Sequence, residues 1–163
     1  MKNADIIQHK IYTLPELLKQ VKRWKLLNKQ IAFSNGCFDI LHEGHIFSLS
    51  QAAREGDVLI VGVNSDASTK RLKGPSRPIN NEHSRSLILA SLVIVDAVVV
   101  FEEDTPFELI TALMPDVIVK GGDYTIDKIV GAKEVIANGG KVVINPIVQG
   151  FSTTGIIDKI HRL

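Results

Sequence analysis

Five short apolar runs, rich in valine and isoleucine, alternate with stretches whose apolar residues recur at helical spacing, and this alternation limits the fold more than any other feature. The runs lack polar residues at every second position, so they predict strands buried on both faces, as in a parallel sheet covered by helices. The predicted strands are residues 31–33, 58–63, 97–101, 117–119 and 142–144. The sequence therefore predicts an α/β fold with a single Rossmann-like, doubly wound, five-stranded parallel sheet and helices on both faces.

A capping box marks the start of the first predicted helix. Thr13 is followed by Pro15 and Glu16, which is the pattern of a helix start with proline in the first turn, and apolar residues then fall on one helical face to about residue 27. We expect residues 1–28 to form a helical segment packed on residues 29–163, with one structural domain overall. The other predicted helices are residues 45–55, 82–95, 106–113 and 132–137, and a last helix that begins near Thr153.

Length and charge exclude several classes of partner. At 163 residues, with 45% hydrophobic and 23% charged residues, the chain fits one globular domain with its own core. A net charge of +1 gives no general attraction for nucleic acid, so we expect no such partner. The strongest apolar stretch, residues 87–101, is broken by Asp96 and is too short to cross a bilayer. The first residues lead into no apolar core of signal-peptide length, so we expect no signal peptide. We therefore expect a cytoplasmic protein without a membrane partner, and whether it forms a homo-oligomer stays open.

Cys37 is the one cysteine, which rules out an internal disulfide and a zinc site built on cysteines. It precedes two histidines closely in sequence, so a nucleophilic thiol is one interpretation. An inert, packed thiol is the other, since free cysteines are usually buried.

A His-x-Gly-His tetrad at residues 42–45 follows the first predicted strand and an Asn-Gly turn. It lies where a strand passes into a helix, and a helix start offers unpaired backbone N–H groups and a partial positive charge to a phosphate. His42 and His45 can donate further hydrogen bonds to phosphate oxygens, and Gly44 lets the backbone approach the ligand. The simpler alternative is two polar side chains at a helix start.

Polar and glycine-rich clusters follow the predicted strands, at the edge of a parallel sheet where ligands bind. The clusters are residues 35–45, Asn64 to Asp66 with the basic loop 70–77, Lys120 to Asp123, and Ser152 to Thr154. The basic loop is either a solvated charge run or a mobile lid that closes on a triphosphate. Lys120 ends an apolar run and would be desolvated unless an anion meets it, which favours a binding role. The sequence has no P-loop, dinucleotide-binding, zinc-protease or nucleophile-elbow motif, which leaves a phosphate site built from histidine, lysine and helix starts.

The segment NGCFDILHEGH, residues 35–45, resembles the signature of the HIGH-type nucleotidyltransferase superfamily, which includes cytidylyltransferases and pantetheine-phosphate adenylyltransferases. Further motifs are similar, in the same order, to the heptose 1-phosphate adenylyltransferase branch, and the resemblance covers roughly residues 10–163. These motifs are VNSDAS at 63–68, RLKG at 71–74, EDTP at 103–106, VKGGDY at 119–124 and GFSTT at 150–154.

The resemblance implies transfer of AMP from ATP to D-glycero-D-manno-heptose 1-phosphate, giving ADP-heptose and pyrophosphate for the lipopolysaccharide core. It also implies a separate heptose kinase upstream and Mg²⁺ bound mainly through the ATP phosphates. Two alternatives stay open: a cytidylyltransferase for a small alcohol phosphate such as glycerol 3-phosphate, and a non-catalytic nucleotide-binding module.

Site roles are assigned on this basis, with no residue assigned to a metal. The catalytic residues are His42, His45 and Lys73. Those expected to bind the nucleotide or its phosphates are Asn35, Gly36, Cys37, Phe38, Gly44, Asn64, Asp66, Arg77, Ser152, Thr153 and Thr154. Those expected to bind the sugar phosphate are Asp39, Lys120, Gly121 and Asp123.

Overall fold

The fold is built on one parallel sheet, seen in a computed structural model that describes residues 4–122, 124–146 and 150–162. The strands are β1 Ile11–Tyr12, β2 Ile31–Gly36, β3 Val58–Asn64, β4 Ala97–Phe101, β5 Val117–Gly121 and β6 Lys141–Asn145. They lie in the order β1-β4-β3-β2-β5-β6, and every neighbouring pair is parallel. The chain therefore moves outward from β2 in one direction through β3 and β4, and in the other through β5 and β6.

The sheet has six strands, so the prediction of five is wrong by one edge strand. The additional strand has only two residues, and Ile11 and Tyr12 pair with Val98 and Val99 of β4. Two residues are too few to show a strand pattern, and this strand forms because β4 offers it an open edge. The segment before residue 29 thus adds a strand to the sheet as well as a helix.

Seven α-helices surround the sheet in the described ranges. They are α1 Leu14–Leu26, α2 Glu43–Ala53, α3 Asp66–Lys73, α4 Glu82–Ala90, α5 Phe107–Leu113, α6 Ala132–Ala137 and α7 Thr153–His161. The capping box predicted for α1 is present, because Glu16 accepts hydrogen bonds from the backbone N–H and the hydroxyl of Thr13. The fourth helix ends at Ala90, five residues before the predicted end, where the hydroxyl of Ser91 donates to the carbonyl of Ile88.

The prediction of a basic loop over residues 70–77 is wrong for its first half, which lies in α3. The hydroxyl of Ser65 accepts a hydrogen bond from the N–H of Ser68 and begins this helix. The Ser68 hydroxyl in turn donates to the carbonyl of Glu103, which fixes α3 to the loop after β4. The cap and this long-range contact stabilise α3, although its sequence has few apolar residues.

Two apolar layers cover the two faces of the sheet. Ile60 of β3 points into the layer that contains Leu17 of α1 and Leu109 of α5. Val61, its neighbour in the strand, points into the opposite layer, with Leu49 of α2. Alternate residues of one strand are therefore buried on both faces, which confirms the predicted doubly wound architecture.

Candidate active site

A cavity of about 650 Å³ opens at the carboxyl ends of β2 and β5, where the strand order reverses. Fourteen of the predicted site residues line it, and they are Asn35, Gly36, Cys37, Phe38, Asp39, His42, His45, Asn64, Lys73, Arg77, Lys120, Ser152, Thr153 and Thr154. A second cavity of about 300 Å³ shares the two histidines and is also lined by Gly44 and Gly121. The fold thus brings together clusters that are more than a hundred residues apart in sequence.

The two histidines stand at the start of α2. His42 is the residue before the first turn, with an extended backbone, and its ring stacks on that of His45 with 3.8 Å between the centroids. Nδ1 of His45 accepts a hydrogen bond from the backbone N–H of His42 at 3.4 Å. In the neutral ring the proton of His45 is therefore on Nε2, which leaves Nε2–H as its free donor. The buried Nδ1 of His42 has no hydrogen-bond partner among the described residues.

Burial keeps both imidazoles neutral. Desolvation lowers the pKa of His42. It also lowers the pKa of His45, to about 4, and the neighbouring charge of a protonated His42 acts in the same direction. The pair therefore offers N–H donors without two facing positive charges.

Two phenylalanines enclose the imidazole pair. The ring of Phe38 lies 5.4 Å from that of His45, and the ring of Phe151 lies 6.5 Å from that of His42. Phe151 lines both cavities and was not among the predicted site residues. Phe151 directly precedes the predicted Ser-Thr-Thr cluster in the sequence, and this adjacency is the sequence signal that could have identified it as a site residue.

A second helix start faces the same cavity. The hydroxyl of Ser152 accepts a hydrogen bond from the N–H of Gly155 and caps α7. The hydroxyl of Thr153 donates to the carbonyl of Ile40, in the loop that leads to α2. The cavity is thus lined from two directions by backbone N–H groups at helix starts, which is a favourable setting for phosphate oxygens.

Four cationic side chains line the cavity, and one of them, Lys128, ends the short 3₁₀ helix Ile126–Lys128. Lys73 lies in the last turn of α3, Arg77 follows in the loop, and Lys120 comes from β5. Nζ of Lys120 donates to Oδ1 of Asn35 at 3.2 Å. Burial lowers the pKa of Lys120; Cys37 opposes this shift and the charge of Lys73 adds to it.

The buried carboxylate of Asp39 stabilises the loop before α2. Its carboxylate accepts hydrogen bonds from the backbone N–H groups of Ile79 and Asn80 and from Nε of Arg77. Burial alone would raise the pKa of Asp39, but these hydrogen bonds and the charge of Arg77 lower it overall. The Asp39 carboxylate holds Arg77 at the cavity, and its contact with a sugar stays a prediction.

One predicted residue, Asp66, is not at the cavity, and another falls outside the described residues. Asp66 accepts a hydrogen bond from Nη2 of Arg85 at 2.8 Å and does not line the cavity. Asp123 lies outside the described residues. Cys37 does line the cavity, and its thiol is 3.9 Å from Oδ1 of Asn64, an amide oxygen that cannot act as the base a nucleophilic thiol needs.

The described residues contain neither a cluster of metal ligands nor a helix that could cross a membrane. No group of three or more His, Cys, Asp or Glu side chains in residues 4–122, 124–146 and 150–162 is arranged to hold a metal ion. In the same ranges no helix has the length and apolar character needed to cross a membrane.

A parallel α/β sheet with a histidine pair, two helix starts and four cationic side chains at its reversal point is typical of a nucleotidyltransferase. The family described as Cytidylyltransferase-like matches residues 33–159. The chain belongs to the cytidylyltransferase-like family, and the predicted resemblance to nucleotidyltransferases is confirmed.

Relatives extend this comparison. The chain is 52% identical over 160 residues to the bifunctional protein HldE of Koribacter versatilis, covering 98% of this chain and 33% of the relative. It is 56% identical over 143 residues to HldE of Mesorhizobium japonicum, covering 88% of this chain and 29% of the relative. The chain thus spans about a third of the length of the HldE proteins that it matches.

Two solved structures have the same fold. A lipopolysaccharide core biosynthesis protein from Thermoplasma volcanium superimposes with a TM-score of 0.59 and 32% identity, covering 74% of this chain and 97% of that protein. A pantoate-beta-alanine ligase from Francisella tularensis superimposes with a TM-score of 0.60 over 94% of this chain and 78% of its own. At 16% identity, the second likeness concerns the fold alone.

Proposed function

We propose that this chain is an adenylyltransferase that transfers AMP from ATP to D-glycero-D-manno-heptose 1-phosphate, giving ADP-heptose and pyrophosphate. The observation that carries the proposal is the stacked pair of His42 and His45 at the start of α2, in a cavity that four cationic side chains also line. Identities of 52% and 56% to HldE proteins, and the similarity to a lipopolysaccharide core biosynthesis protein, support the heptose substrate.

The proposed reaction forms one P–O bond and breaks another. An oxygen of heptose 1-phosphate attacks the α-phosphorus of ATP in line, and the bond from that phosphorus to the bridging oxygen breaks. Pyrophosphate leaves with the bonding electron pair. Because the attacking phosphate is already an anion, the protein needs no general base and supplies alignment and charge neutralisation.

The histidines act on the phosphates that change charge. His42 and His45 donate hydrogen bonds to oxygens of the α- and β-phosphates as negative charge moves toward the leaving pyrophosphate. Both rings are neutral before the nucleotide binds, since burial lowers their pKa values. The start of α2 adds backbone N–H donors and a partial positive charge at the same place.

The cations divide between the two substrates. Lys73 and Arg77 neutralise the β- and γ-phosphates, and Lys120, with the backbone at Gly121, holds the phosphate of the sugar. Ser152, Thr153 and Thr154 bind the nucleotide from the start of α7. Lys120 is suited to bind an anion because burial already disfavours its charge, and an incoming phosphate relieves that cost.

Mg²⁺ enters as part of the substrate, bound to the phosphates of ATP and to water. The described residues offer it no cluster of ligands, and the one buried carboxylate at the cavity, that of Asp39, already accepts three hydrogen bonds. The heptose 1-phosphate must come from a kinase reaction on the sugar, and the use of ATP is consistent with a cytoplasmic reaction.

Pyrophosphate release tests the proposal. ATP and CTP are each combined with heptose 1-phosphate and with glycerol 3-phosphate, in the presence of Mg²⁺. A His42→Ala, His45→Ala double variant serves as the control for contaminating activity. Release with ATP and heptose 1-phosphate alone is the expected result. Release with CTP and glycerol 3-phosphate would replace the proposal with a cytidylyltransferase, and no release in any mixture would favour a non-catalytic nucleotide-binding module.

A further inference from the structure

Arg85 is the largest fully buried side chain of the described residues, with 1% of its surface exposed. Its guanidinium donates to three acceptors from three segments: the carbonyl of Asn80 at 2.9 Å, the carbonyl of Cys37 at 2.6 Å and Oδ1 of Asp66 at 2.8 Å. A buried arginine costs free energy unless its donors are paired, and here the three bonds join the loop after β2 to α3 and α4.

The bond to Cys37 determines the direction of one peptide group. In a trans peptide the carbonyl oxygen and the following N–H point in opposite directions. Because Arg85 draws the Cys37 carbonyl toward the protein interior, the N–H of Phe38 is directed away from Arg85. Both Cys37 and Phe38 line the cavity, and this N–H donates to no acceptor in the described part of the chain.

The backbone of Phe38 is in a conformation that few non-glycine residues adopt. Its φ is +49°, in the left-handed region that costs a non-glycine residue energy. The carbonyl of Asp39, on the other side of Phe38, accepts a hydrogen bond from the Asn80 side chain at 2.8 Å. Asn80 is itself bonded to Arg85 through its own carbonyl. Arg85 therefore fixes the peptide group before Phe38, and Asn80 fixes the peptide group that follows Asp39.

We propose that Arg85 is a positioning residue that orients the Cys37–Phe38 peptide so that the Phe38 N–H donates to an oxygen of the reacting phosphate. The inference rests on the proposed function and adds to it a residue that does not touch the substrate. The planar guanidinium is needed because it bonds three acceptors in one plane, which the single ammonium of a lysine cannot do.

Kinetics of Arg85→Lys and Arg85→Ala test this role, each assayed below its own melting temperature. We expect kcat to fall by about 10²-fold, as when one oxyanion donor is lost, with the KM for ATP changed much less. Guanidinium ion should restore part of the kcat of Arg85→Ala and none of that of Arg85→Lys. Lys25→Met is the matched control, because Lys25 also donates to two backbone carbonyls, those of Leu113 and Met114, but lies away from the cavity. A kcat near the wild-type value in Arg85→Lys, or an equally large loss of kcat in Lys25→Met, would overturn the role.

A second measurement does not depend on the sugar substrate. The chain has six phenylalanines, so ¹⁵N-phenylalanine labelling gives few amide signals, and Phe38→Tyr identifies the signal of Phe38. Magnesium pyrophosphate should shift the Phe38 signal in the wild-type protein and shift it much less in Arg85→Lys. An equal shift in both proteins, or none in the wild type, would overturn the inference. If the Phe38 shift is as expected but heptose 1-phosphate is not a substrate, the proposed function fails and the orienting role of Arg85 stands.

Discussion

The imidazole rings of His42 and His45 stack 3.8 Å apart at an interplanar angle of 26°. Two protonated imidazoles at this distance would repel each other, and burial keeps both rings neutral instead. Nδ1 of His45 accepts from the His42 backbone, so the pair presents fixed N–H donors rather than mobile charges. This geometry suits the stabilisation of phosphate oxygens that gain charge during a reaction.

Removal of either imidazole should reduce turnover with little effect on folding. We expect His42→Ala and His45→Ala each to lower kcat by about 10²-fold or more, as for the loss of one preorganised donor. His83 is exposed on α4, and His83→Ala provides the control for a histidine outside the cavity. Steady-state pyrophosphate release measures the effect. Turnover near the wild-type rate in either cavity variant would remove the histidines from the mechanism.

Stability should fall as the pH falls from about 6.5 to about 4. His45 has a pKa of about 4 in the folded protein and an ordinary value of 6.5, so in this window the unfolded chain binds a proton that the folded protein does not. Thermal melts across this range should therefore show a declining Tm. His45→Gln should flatten the decline, whereas His83→Ala should leave it unchanged. If Tm declines with falling pH as steeply in His45→Gln as in the wild type, groups other than His45 cause the pH dependence.

Sequence patterns predicted the parts of the fold that depend on local periodicity. The five longer strands, the capped start of α1 and the tetrad at a helix start all follow from the spacing of apolar and polar residues. The two-residue strand β1 was missed because it is too short to have a pattern, and α3 because its contacts with the loop after β4 are not local.

Site contacts made by folding were harder to predict. The ring of Phe151 meets that of His42 across more than a hundred residues of sequence. Arg85 reaches the carbonyl of Cys37 over a separation of 48 residues. Neither contact leaves a spacing or composition signal, since an arginine in the middle of a helix normally predicts an exposed position.

We expect the packing of His42 to require a glycine at position 44, whereas the stability of α2 does not require one. A Cβ at this position would lie 3.2 Å from Cε1 and Nδ1 of His42 and 3.3 Å from Cβ of Phe151. Gly44→Ala should therefore displace the His42 ring and lower kcat by about 10-fold or more, since small displacements of catalytic groups are costly. Alanine is the better helix former, so the Tm should be maintained. Ser50→Ala on the same helix is the control, and an unchanged kcat in Gly44→Ala would contradict the close packing of His42.

Lys120 should act on the sugar phosphate rather than on ATP. Lys120→Met removes a charged donor to a phosphate, so we expect the KM for heptose 1-phosphate to rise by about 10-fold or more, with ATP binding largely intact. Calorimetric titration with ATP and steady-state kinetics with the sugar phosphate separate the two effects. Lys133→Met on the exposed side of α6 is the charge-matched control. Weakened ATP binding with an unchanged KM for the sugar would assign Lys120 to the nucleotide.

The fate of the α-phosphate tests the proposed reaction most directly. Wild-type protein is incubated with [α-³²P]ATP, Mg²⁺ and heptose 1-phosphate, and the labelled products are separated by chromatography. We predict that the label passes into a single nucleotide sugar while an equal amount of unlabelled pyrophosphate is released. Label that stays in ATP, or that is recovered in ADP or in free AMP, would contradict adenylyl transfer to the sugar phosphate.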